Sequence, residues 1–216
     1  MISISEFAKR VLPDVPGCPM VIAEQAATDT LSHFCAQSWI LTRGLGATVS
    51  KINTALNSQA SIDLGEAVDT GFRPVGIKRL SILGSDWELE RMKVVNHVES
   101  ILAETQKKYY FFDDNQTLIL FPMAFADVYI EVAIAPLPSA SGIDEHLYDF
   151  WLDPIVSGIK ARLFRMPGKQ WTDLPTALAS QHEYDKGLVN ARRQLLKSFS
   201  RNTSPSVTPR SNQLWL

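Results

Sequence analysis

Only two cysteines occur among the 216 residues, Cys18 and Cys35, and they lie 17 positions apart. A small secreted scaffold stapled by disulfides is therefore excluded, and two such thiols read as buried side chains in a reducing compartment. No apolar run reaches 18 residues, so no segment is expected to span a membrane. The first residues lack a basic stretch followed by an apolar run and a small-residue cleavage site, so no signal peptide is expected and synthesis belongs in a cytosol. The four histidines, His33, His97, His146 and His182, form no His-x-x-x-His or Cys/His spacing, which argues against zinc. Gly44 and Gly46 stand without the remainder of a nucleotide-binding loop, and no Gly-x-Ser-x-Gly elbow exists. Asp113 and Asp114 sit between two apolar runs, where paired acids are turn chemistry. No catalytic, cofactor-binding or metal-binding residue is assigned.

Acidic residues are also missing from one region. None follows Asp185, whereas Lys186, Arg192, Arg193, Lys197, Arg201 and Arg210 are all basic, against a net charge of −2 for the whole chain. The basic face could meet phosphates, but it reads more simply as a solvated face or one paired with an acidic neighbour. Hydrophobic content of 45% and charged content of 20% are those of a folded globular chain.

The remaining pattern gives an α+β fold. Ser3 and Glu6 have capping-box spacing for a first helix. Pro13, Pro16 and Pro19 force an irregular connection, and Pro19 opens a helix through about residue 39. Its buried stripe is Met20, Ile22, Ala23, Ala26, Ala27, Leu31, Phe34 and Cys35. Residues 41–69 carry Gly44, Gly46, Asn53 and Asn57 and predict irregular strands or a long loop. Strands are expected over 74–83, 109–112, 117–121 and 127–135, forming a three- or four-stranded antiparallel sheet, with a helix over 88–105 between them. Helices return over 144–151, 154–165 and 173–199. Asp153 reads as an N-cap with Pro154 as the first helical residue, and Asp173 with Pro175 as the next start. Between them Met166, Pro167, Gly168 and Trp171 make a break-and-restart joint. The organisation is a helical bundle from 1–40 and 144–199, an inserted β-rich lobe over 41–143, and an extended arm over 200–216. That arm holds Arg201, Pro205, Pro209 and Arg210 and ends in Leu214, Trp215 and Leu216. A tryptophan between leucines on a polar tether is an interface anchor without a local core.

Ile4-Ser5-Glu6-Phe7, Val15-Pro16-Gly17-Cys18-Pro19, the helix end at Phe34-Cys35 and Trp39, the joint Met166-Pro167-Gly168-Lys169-Gln170-Trp171, and Tyr184 to Arg192 together resemble head–tail adaptor (connector) proteins of tailed bacteriophages. The resemblance covers roughly residues 3–199 and is most specific at the joint. It implies a structural virion protein without catalysis. Such a protein forms a closed ring of twelve copies at the head–tail junction, binds the portal above and a tail or neck protein below, and lets DNA pass. It also implies, by position and character, that residues 201–216 reach the portal or a neighbouring subunit. The alternatives from the residues themselves are another neck or baseplate component, or a DNA-binding packaging or regulatory protein.

Overall fold

A computed structural model describes residues 1–48, 51–54, 57–82, 90–91, 109–112, 117–121 and 127–202. The protein is α+β, with helices packed on a three-stranded antiparallel sheet. Ser3 caps α1 (Ile4–Val11) by accepting the Ser5 N–H at 3.3 Å. Its expected capping box closes on one side only, because Glu6 turns forward to Lys9 at 2.6 Å instead of back to the cap. Ile4, Phe7, Ala8 and Val11 form the buried face of α1.

A short 3₁₀ turn (Leu12–Asp14) leads to α2 (Met20–Ser38), whose N-cap is Pro19 in extended backbone. Ala23, Ala26, Ala27, Leu31, Phe34 and Cys35 are buried as the spacing predicts, whereas Met20 and Ile22 are only half-buried. Thr30 and Ser38 join the stripe because their hydroxyls bond the carbonyls of Ala26 and Phe34, both at 2.7 Å. Trp39 ends the helix in the left-handed region (φ 57°), a conformation uncommon for a non-glycine residue. Its indole lies against Gly76, where a Cβ would stand 2.4 Å from the ring. Packing of the large ring offsets the backbone strain.

The strands are β1 (Thr42–Thr48), β2 (Lys51–Thr54), β3 (Asn57–Asp63), β4 (Phe72–Ile82), β5 (Glu90–Arg91), β6 (Tyr109–Phe112), β7 (Thr117–Phe121) and β8 (Asp127–Pro136), with a one-turn helix α3 (Leu64–Ala67) before β4. They form two sheets, ordered β1-β8-β4 and β2-β3-β7-β6-β5, rather than the single sheet the spacing predicts. Alternation marks which residues form strands but not which strands pair. The expected β6–β7 pairing forms, with Tyr109 opposite Phe121 and Phe112 opposite Leu118. Residues 41–69, expected to be irregular, supply three of the strands. Gly44 fits β1 because the Tyr129 ring from β8 covers it, leaving a Cβ only 2.4 Å from the hydroxyl. Glu90–Arg91, expected to be helical, pairs in parallel with Tyr109 and Tyr110; partner strands override local spacing there. The rest of 88–105 and the turn at 113–116 lie outside the described residues.

Ile130, Val132 and Ile134 alternate along β8 and share one core with α1, α2 and the C-terminal helices. The β1-β8-β4 sheet therefore packs within the helical layer, although the sequence placed all of 41–143 in a separate lobe. Glu131, between those residues, accepts from Thr42 of β1 at 3.0 Å and Lys78 of β4 at 2.5 Å, tying the three strands together.

Two long helices complete the fold, α4 (Glu145–Phe164) and α5 (Leu174–Asn202). Asp144, not Asp153, caps α4 by accepting the His146 N–H at 2.9 Å. Pro154 is inside that helix rather than at its start. Local rules forbid it because proline lacks the N–H and crowds the preceding turn. Here the ring fills a notch at Gly187 of α5, so close that a Cβ on Gly187 would lie 2.1 Å from the proline Cβ. One turn on, Gly158 receives Tyr184 of α5 and Thr30 of α2. Pairing 154 with 187 and 158 with 184 makes the two helices antiparallel.

Candidate functional site

The joint between α4 and α5 is a corner held by hydrogen bonds. Arg165 ends α4, and the Met166 N–H donates to the Leu163 carbonyl. Gly168 turns the chain at φ +69°, with open space where a side chain would be. The Thr172 hydroxyl donates to the Met166 carbonyl at 2.5 Å and accepts the Lys169 N–H at 3.0 Å. The Asp173 N–H then returns to the Phe164 carbonyl at 2.9 Å, and the Asp173 carboxylate receives the Thr176 N–H and hydroxyl. Asp173 thus opens α5 as its spacing predicts. Of the four joint residues, Trp171 is buried, Met166 is half-buried against the core, and Pro167 and Gly168 are exposed. Gln170 abuts Gly17, and Lys160 pairs with Asp14, so the corner is braced on the connection after α1. The joint orients α5; it carries no reactive group.

The basic face of α5 divides. Arg192 bonds the Gln37 carbonyl at 2.8 Å and the Gln37 side-chain oxygen at 2.6 Å, placing its cation at the negative C-terminal end of α2. Lys186 pairs with Glu183 at 2.7 Å, and Arg193 is exposed. Lys186 and Arg193, at i and i+7, share the side of α5 turned away from its buried residues Ala177, Tyr184, Leu188 and Ala191. Near the start of the same helix, Leu174 and Leu178 are 57% and 66% exposed, with Val189 at 43% roughly in line. Arg201, assigned to the arm by sequence, is in the last turn of α5. Pro205, Pro209, Arg210, Leu214, Trp215 and Leu216 lie outside the described residues.

One recess that the sequence did not signal is a cavity of about 310 Å³. Leu41, Phe72 and Ile134 give it an apolar floor, and Met1 and Thr42 flank it. Arg43, Asp144 and Glu145 are also in its wall. Arg43 is held by Asp69 at 2.7 Å, while the Asp144 carboxylate caps α4. Residues this scattered are joined only by folding, so no local pattern could announce them.

The buried titratable groups serve packing. His33 Nδ1 meets the Tyr184 hydroxyl at 2.7 Å. Burial, with the Arg162 and Arg192 cations nearby, holds the imidazole below its usual range and favours the neutral ring. Burial pushes the Cys35 thiol up to about 12 and raises Cys18 as well. Both thiols should therefore react with a disulfide reagent at pH 8 orders of magnitude more slowly in native protein than in urea-unfolded protein, readable by thiol titration. Rapid native labelling of Cys35 would contradict its burial. Among the described residues, no three His, Cys, Asp or Glu side chains gather to hold a metal, and no helix is long and apolar enough to cross a membrane. No protein-family model matches the chain, and no curated protein matches it.

Proposed function

We propose that the chain is a structural virion protein, a head–tail adaptor whose copies close into a ring joining the portal to a downstream tail or neck protein and letting DNA pass. In this reading the helices and the β1-β8-β4 sheet form the body of each ring subunit, the β2-β3-β7-β6-β5 sheet is a lobe inserted into it, and the C-terminal arm reaches a partner. The observation that carries it is the outward face of α5, where Leu174 and Leu178 stand 57% and 66% exposed one turn apart. A monomer gains nothing from such a pair, whereas a ring requires each copy to offer two different faces to its neighbours. The recess beside the start of α4 supplies a second, chemically different face. The basic side of α5 suits either an acidic neighbour or passing DNA, contributing orientation more than affinity.

Mass photometry of the purified chain with portal should give a species heavier than portal alone by about twelve times the 24.1 kDa chain mass. Electron microscopy of virions should place it between portal and tail. A chain absent from virions would sink both this reading and its neck or baseplate alternative. Tight DNA binding that persists at moderate salt would favour a packaging or regulatory protein instead.

A further inference from the structure

The recess and the end of α5 lie at the same end of the molecule. Pro154 packs on Gly187 and Gly158 on Tyr184, so extending that antiparallel pairing brings Glu145, the first residue of α4, level with about residues 196–197. Arg192 fastens this part of α5 to Gln37, four residues before Leu41 of the recess floor. From there α5 runs on to Asn202, and residues 203–216 follow.

We propose that the recess receives the Leu214, Trp215 and Leu216 segment of a neighbouring copy, so that the arms link subunits around the ring. The inference rests on the ring reading above and names the partner of the arm. With α5 set along the ring axis, rotation about that axis keeps height constant, so every recess lies level with every α5 end. An arm needs only to travel sideways. Fourteen residues span at most roughly 45 Å when extended, and a folded chain of this length is about 40 Å across, so the reach matches one subunit. The subunit's own recess lies only about 8 Å back along α5, so an arm extended over roughly 40 Å overshoots it. Chemistry agrees with geometry. Leu41, Phe72 and Ile134 offer an apolar floor for an indole and a leucine. Asp144 and Glu145 face an arm whose charged side chain, Arg210, is positive.

The test uses the full chain carrying one added cysteine at the recess rim, Glu145→Cys, and a second full chain carrying Asn212→Cys in the arm. Each alone, treated with a short bismaleimide, should give no pair linking rim to arm; mixed, they should give the linked heterodimer. The double variant should give a ladder of covalent dimers, trimers and higher species. Adding Trp215→Ala should cut the yield about tenfold or more, as truncating an interface anchor does. A cyclised monomer in place of the ladder would place the arm in its own recess and overturn the proposal. So would absence of linkage, or linkage indifferent to Trp215→Ala. Ring mass, measured separately on the uncrosslinked chain, keeps the two readings apart. Linked chains that never close remove the ring and leave the docking, whereas a ring without linkage does the reverse.

Discussion

Gly187→Ala should destabilise the protein by about 2 kcal/mol, although alanine is the better helix former by roughly 1 kcal/mol. The new methyl carbon would lie 2.1 Å from the Pro154 Cβ and 2.8 Å from its Cγ. Carbon atoms in contact prefer about 3.5–4.0 Å, and a pyrrolidine ring cannot rotate aside. The helices must separate, and overpacking of this kind costs about 1–3 kcal/mol or more, which exceeds the propensity gain. A urea titration should show the midpoint falling by about 1 M with the slope unchanged. Exchanging knob and notch supplies the control. Pro154→Gly removes the opposing carbons and also relieves proline's helix penalty, so Gly187→Ala should be tolerated in that background. Coupling in this double-mutant cycle of at least about 1 kcal/mol is expected. Additive effects would mean that the two residues do not meet.

The same contact explains what could be read from sequence and what could not. The α2 stripe was legible because helical burial repeats every three to four residues, and Ala23, Ala26, Ala27, Leu31, Phe34 and Cys35 obey it. The β6, β7 and β8 strands were legible for the equivalent reason at a period of two. Asp173 was legible because its capping bonds are local. Pro154 was not. Its tolerance depends on a glycine on the following helix, and local rules register only the missing N–H. Gly44 misled similarly, since the Tyr129 ring that completes its strand arrives from β8. Strand partners were illegible because periodicity assigns faces and not neighbours. Of the candidate site, the joint was visible as Pro167, Gly168 and the buried Trp171. The recess was not, because it draws on β1, β4, β8 and the start of α4. The diversion of Arg192 to Gln37 was equally hidden: a run of basic residues says nothing about which cation the fold will use.

Leu178→Glu should leave the monomer folded and abolish the ring. Leu178 is 66% exposed in the second turn of α5, so a carboxylate there loses little packing. Glutamate and leucine are comparable helix formers, and stability should stay within about 0.5 kcal/mol of the parent. At a subunit contact the balance reverses. Burying an ionised carboxylate without a partner costs several kcal/mol, and a closed ring meets that cost at every interface. An interface weakened by roughly 3 kcal/mol loses more than a hundredfold in affinity, enough to turn micromolar assembly into monomer. Leu178→Ala removes apolar area without adding charge, so it should shift assembly by about tenfold rather than abolish it. Mass photometry across a dilution series, paired with thermal unfolding of each variant, separates lost contact from lost fold. A ring that persists unchanged with glutamate at 178 would remove this face of α5 from the subunit contact, and with it the observation on which the adaptor reading stands.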